Sequence, residues 1–177
     1  CEYCNCNIHL QPTLLENLQT VSTLELRNQN SEGVSGHESH HSSLDLLRNS
    51  PNLRKLRCIL SGVVSFDFLN KLETLKIFFR DNPRIVFLSD LPLSLKRLSL
   101  NRFSFPWSEI SKLSRLPNLE VLTLKSNHAS SGLLWDLSDE KFLRLNVLKF
   151  ESPIIKRWNA SSDNFPSLGR LVVSRCS

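Results

Sequence analysis

Leucine recurs along this 177-residue chain in one spacing, L-x-x-L-x-L, and that spacing constrains the fold more than any other feature. The fullest copy runs Leu113, Leu116, Leu119, Leu122 and Leu124, with Asn127 three residues beyond. Six conservatively varied copies are Val21/Leu24/Leu26, Leu53/Leu56/Cys58, Leu72/Leu75/Ile77, Leu95/Leu98/Leu100, Leu145/Leu148/Phe150 and Leu168/Leu171/Val173, the last followed by Cys176 where the fullest copy has Asn127. Copies are 19 to 32 residues apart, and four of the six intervals fall within ~20–29 residues, the span of one repeated supersecondary unit. In L-x-L the two apolar side chains share one face of a short strand, because successive strand residues point to opposite faces. One such strand cannot bury that face alone. Stacked in parallel, each covers its neighbour, and stability accumulates along the stack.

The pattern is that of leucine-rich repeats. It predicts an α/β fold: a leucine-rich-repeat solenoid (horseshoe) with a parallel inner sheet and irregular loops and short helical turns on the convex side. Residues 1–177 form a single domain fragment of about seven repeats. The 19-residue interval is a short repeat with no helix expected on its outer side. The 32-residue interval contains 28–43, a Ser-, Gly- and His-rich stretch whose one apolar residue is Val34, expected to be an inserted loop. Ser108–Leu116 places Ile110, Leu113 and Leu116 at helical spacing and predicts a short helical turn. Trp107, Trp135 and Trp158 fall 9, 13 and 10 residues after the first Leu of their repeats, so they are expected to pack on the outer, connecting side. Asn127 and Cys176 are expected to turn inward and satisfy backbone groups at the bend, the other turns being irregular.

The outward positions are the x residues of x-L-x-L-x, 21 in seven repeats. Eight are basic, Arg27, Lys55, Arg57, Lys76, Arg97, Lys125, Lys149 and Arg170, against two acidic, Glu25 and Glu151. Like charges on neighbouring strands repel and folding does not ask for them, so a basic concave stripe points to an anionic partner. That partner would be an acidic protein surface or a polyphosphate. Duplex nucleic acid is not expected, because the face offers no recognition helix and a single aromatic, Phe78.

Catalysis finds no support. His9 and His128 have no nucleophile or orienting carboxylate at a motif spacing, and Asp136, Asp139 and Glu140 read as a connector's solvated face. Cys1, Cys4 and Cys6 with His37, His40 and His41 have zinc-ligand chemistry but no second closely spaced Cys pair, so no metal is expected. No apolar run approaches ~18 residues, so no membrane span is expected. The first residues lack the basic start and apolar run of a signal peptide. An odd count of five Cys and a lone sequon, Asn159-Ala160-Ser161, lean towards a reducing, cytoplasmic setting. The absence of Met suggests a piece of a longer chain.

The Gly-x-Ile-Pro signature of extracellular plant repeats is absent, as is the strict 28/29-residue alternation of ribonuclease-inhibitor-type repeats. The irregular units resemble the leucine-rich-repeat domain of plant intracellular NLR immune receptors. The words Phe105-Pro106-Trp107-Ser108-Glu109-Ile110, Leu116-Pro117-Asn118-Leu119-Glu120-Val121-Leu122 and Trp158–Leu168 are similar to nightshade-family coiled-coil NLRs related to late-blight resistance proteins. The resemblance is densest over residues 91–177. It implies a protein-binding sensor and autoinhibitory domain acting in effector recognition and immune signalling. Its partners would be the receptor's own upstream nucleotide-binding domain, a pathogen effector or another immune receptor. ATP or ADP would bind only upstream, and no cofactor is expected in this fragment beyond a possible polyphosphate. The alternatives are a substrate adaptor for ubiquitin ligation, marked by an upstream F-box bundle, and a passive scaffold.

Overall fold

Alternation of apolar and polar residues sets the strands, and the computed structural model describes residues 15–27, 43–62, 64–80, 90–125, 134–151, 155 and 157–174. Among these, β1 (Thr20–Arg27), β2 (Lys55–Ser61), β3 (Thr74–Phe79), β4 (Arg97–Asn101), β5 (Val121–Lys125), β7 (Val147–Glu151) and β9 (Arg170–Ser174) form one parallel seven-stranded sheet, stacked in chain order. The L-x-L residues stand in register. Leu56 pairs with Leu75, Leu75 with Leu98, Leu98 with Leu122, Leu122 with Leu148 and Leu148 with Leu171. Inward residues of β2 to β7 are buried, while the final strand leaves Leu171 and Val173 exposed. The expected α/β class with a parallel sheet is therefore what the structure has.

After β1, the strands of this sheet all begin the same way. One carbonyl just before a strand accepts the N–H groups of two successive residues where the next strand begins. Gln19 O serves Arg54 and Lys55, Arg54 O serves Glu73 and Thr74, Glu73 O serves Lys96 and Arg97, and so on to Asn146 O, which serves Gly169 and Arg170, all at 2.8–3.0 Å. Side chains reinforce this edge. Ser94 Oγ donates to Leu72 O at 2.8 Å, Asn118 Nδ2 to Leu93 O at 3.0 Å and Ser167 Oγ to Leu143 O at 2.7 Å, each reaching back one repeat. β1 departs from the pattern: its register to β2 shifts between Val21 and Leu24, where Thr23 takes a left-handed φ of 63°.

The connecting segments cover the inward face. In the 19-residue interval Phe66, Leu69 and Leu72 are buried without a helix, and the chain leaves β2 through Gly62 at φ 94°, a conformation glycine adopts without steric cost. The predicted helical turn is α2 (Trp107–Ser111) continued by a 3₁₀ turn (Lys112–Arg115), burying Ile110 and Leu113. Residues 28–42 of the expected loop lie outside the described residues, as do Asn127 and Cys176. Ser43 opens a helix instead, α1 (Ser43–Arg48), with Leu47 buried and Asp45 and Arg48 at the ends that suit the helix dipole.

The three Trp residues form the layer opposite the sheet. Trp135 lies on β6 (Leu134–Asp136) and Trp158 on β8 (Arg157–Asn159), two short strands that pair in parallel as a second sheet. Trp107 stacks on Trp135 at 5.3 Å and Trp135 on Trp158 at 5.8 Å, with Phe142, Phe150 and Phe165 packed edge-on to Trp135. Trp135 is fully buried, and its Nε1–H donates to Ser111 Oγ at 3.0 Å. The expectation of outer-side packing is met, in a more ordered form than spacing alone conveys.

Asn164 closes the end of this layer. Its Nδ2 donates to Leu137 O and Glu140 O at 2.5 and 2.8 Å, and its Oδ1 accepts from Ser161 N–H and Oγ–H at 2.7 and 3.0 Å. Asn164→Ala removes these four hydrogen bonds at a buried position, so it should lower unfolding free energy by about 2–3 kcal/mol in urea titration. Exposed Asn159→Ala should change it by less than about 0.5 kcal/mol.

Candidate functional site

The outward residues of the sheet form rows across the strands. One row runs Lys55, Thr74, Arg97, Val121, Val147, Arg170, and the next Arg57, Lys76, Ser99, Thr123, Lys149, Val172. A third runs Glu25, Ile59, Phe78, Asn101, Lys125, Glu151, Ser174. Seven of the eight basic positions read from the sequence thus lie on one face without forming one stripe. Lys55, Arg57, Lys76 and Arg97 gather on β2 to β4. Lys149 stands between Thr123 and Val172, and Arg170 beside Val147 on the last strand. Arg27 ends β1 opposite Ser61, and its side chain lies outside the described residues.

Pairing divides these charges further. Lys125 Nζ lies 3.0 Å from Glu151 Oε2, and Glu25 pairs with Arg80 at the end of β3, so both acidic residues of the face are answered. Lys55, Arg57, Lys76 and Arg97 form no ion pair among the described residues, and all but half-buried Lys76 are exposed. The strand-start edge behaves differently: Arg54 and Lys96 share the Glu73 carboxylate, at 3.2 and 3.5 Å.

Arg57 and Lys76 are direct neighbours in register. With strands ~4.8 Å apart, two cations held ~6 Å from one another in water repel by about 0.7 kcal/mol. Phe78 offsets this. The Arg57 guanidinium carbon lies 5.1 Å from its ring centroid and Lys76 Nζ 5.6 Å, each contact worth ~0.5–1 kcal/mol at an exposed site. The sequence marked all three residues as outward-facing; their meeting depends on strand register, which aligning the repeats by their L-x-L pairs would have supplied. Asn101, next in the row, is buried, and its Nδ2 donates to Ile77 O at 3.0 Å. The x-L-x-L-x frame omits Arg80, and it holds Lys125 and Glu151 without pairing them.

Other candidate chemistry is dispersed. Asp136 is exposed, and the Ser138 hydroxyl and backbone N–H, with a smaller contribution from the Asn159 amide, hold its carboxyl below the usual range. Glu140 accepts from Ser114 Oγ, and Asp139 is exposed. A shallow cavity of about 370 Å³ at the starts of β5 and β7 is lined by Glu120, Val121, Arg144, Asn146, Val147 and Ser167, apart from the four gathered cations. Among the described residues no three His, Cys, Asp or Glu side chains come together as a metal site. Cys1, Cys4, Cys6, His37, His40 and His41 lie outside the described residues, as do His9 and His128. No helix among the described residues is long and apolar enough to cross a membrane.

The architecture is that of an α/β protein whose chain-ordered parallel sheet presents one apolar face to its connectors and one cation-bearing face outward. Comparison with known proteins then supplies the relatives. Late blight resistance protein R1-A of Solanum demissum is 32% identical over 169 residues, covering 92% of this chain and 12% of that protein. The putative late blight resistance protein homologs R1B-13 and R1B-16 of the same species are each 34% identical, over 140 and 139 residues, 74% of this chain in both cases. The chain is a late-blight-resistance-like sequence, homologous to a segment spanning about 11–12% of those proteins' length. No protein-family model matches it.

Beneath the cations, Cys58 is buried between Leu56 and Leu60, and burial pushes its thiol up to about 12. In the unfolded chain a thiol titrates near ~8.5. The neutral thiol is thus favoured by folding, a contribution present below the unfolded value and lost as pH rises towards the folded one. Iodoacetamide at pH ~8.5, followed by peptide mapping, should leave Cys58 unmodified in native protein and modify it fully in denaturant.

Proposed function

We propose that the stacked strands form a leucine-rich-repeat solenoid whose concave surface is the cation-bearing face. In this reading the chain is the protein-binding sensor and autoinhibitory part of a cytoplasmic plant disease-resistance NLR. The single observation that carries the proposal is the partition of charge: both acids of the face are ion-paired, while Lys55, Arg57, Lys76 and Arg97 stand together with no ion pair among the described residues. The names of the relatives support a role in plant defence. The four cations would dock on an acidic surface of the receptor's own nucleotide-binding region and hold it at rest. A pathogen effector, another immune receptor or an anionic polyphosphate competing for the same cations would release it. The chain's work is then binding rather than catalysis, and its attraction is long-ranged and weakened by salt.

The test is binding of the chain to the nucleotide-binding region of a relative and to an inositol polyphosphate, across a salt series. Affinity should fall more than about tenfold between ~50 and ~300 mM salt, and the R57E/K76E/R97E variant should lose binding. Replacing Lys125 and Glu151 together by Ala should change affinity less than about threefold, because the pair carries no net charge. Salt-sensitive binding that survived the triple change would move the contact to the connecting loops. Binding to neither would contradict the proposal.

A further inference from the structure

We infer that the partner of this face is an acidic protein segment carrying one apolar side chain, selected by Ile59 and Phe78 as well as by charge; this rests on the binding-face reading above. Ile59 and Phe78 are register neighbours, both half-buried on the outward side of the sheet. The other described positions of their row are polar: Glu25, Asn101, Lys125, Glu151 and Ser174. The row turns apolar only on β2 and β3, where Arg57 and Lys76 crowd the Phe78 ring and Lys55 stands one position further along the sheet. A ligand of phosphate groups alone gains nothing from an aliphatic–aromatic pair. An acidic segment with an aliphatic or aromatic residue among its carboxylates uses both parts, placing that residue over Ile59 and Phe78 and its carboxylates on the cations.

The dimensions suit such a segment. With strands ~4.8 Å apart and alternate residues ~6.8 Å apart, the Cα atoms of Lys55, Arg57, Lys76 and Arg97 fit within about 10 by 7 Å. Carboxylates at alternate positions of an extended segment repeat at the same ~6.8 Å. Arg57 and Lys76 need not leave the ring to receive them, since a cation over an aromatic face keeps its outward N–H groups for an anion.

Calorimetric titration of the full chain with three probes tests this: a nonapeptide of Asp and Glu with a central Leu, the same peptide with a central Ser, and inorganic tripolyphosphate. The Leu peptide should bind about tenfold more tightly than the Ser peptide. Phe78→Ala should erase that difference by weakening the Leu peptide more than the Ser peptide, and Ile59→Ser should act in the same direction. Equal binding of the two peptides to the unaltered chain overturns the apolar anchor; if R57E/K76E/R97E then abolishes both, the electrostatic face still stands. Tripolyphosphate binding more tightly than either peptide, unaffected by Phe78→Ala, overturns the inference in favour of a phosphate ligand. Binding of none of the three overturns both the anchor and the face.

Discussion

Each strand buries its L-x-L pair only because a neighbouring strand stands in register beside it, and that mutual cover is what the rest of the molecule depends on. The carbonyl before each strand, accepting two successive N–H groups from the next, fixes the register. Register in turn decides which outward residues become neighbours. A slip of one residue would send the leucines outward and the lysines into the core. The cation cluster is therefore a consequence of the leucine spacing: Arg57 meets Lys76, and both meet Phe78, because Leu56 meets Leu75 and Cys58 meets Ile77.

The connecting side shows the same economy in aromatic form. Trp107, Trp135 and Trp158 continue one stack through successive repeats, and Phe142 and Phe165 stack against one another beside it. Large rings cover long stretches of sheet with little helix, which suits connectors as short as those seen here. Polar groups trapped in this layer are answered individually, Trp135 by Ser111 and Asn164 by two carbonyls, while Trp158 Nε1 has no partner among the described residues.

Much of the fold was legible because its period is short and the inward residues of its sheet are mostly Leu. The strands, the inward leucines, the helical turn at Ile110 and Leu113 and the outward placement of the basic residues all follow from spacing. β6 and β8 were not legible: three residues around a Trp carry no strand periodicity, and only pairing across a repeat makes them strands. α1 was hidden at the end of a Ser- and His-rich stretch. Within the site, residue identities and their register neighbours could be read, but the ion pairs and ring contacts that divide the charges could not. Sequence treats Lys125 and Lys76 alike, whereas Glu151 answers one and Phe78 the other. Glu25 with Arg80 spans β1 to β3 and needs the bulge at Thr23 to be known first.

The central claim, that binding occurs on the outward face of β2 to β4, is tested most directly by lysine footprinting with an acetylating reagent, with and without saturating acidic Leu-centred peptide. Protection should appear at Lys55 and Lys76, with exposed Lys141 on a connector and ion-paired Lys125 labelled as before. Protection at Lys141 with Lys55 and Lys76 still fully labelled would contradict it.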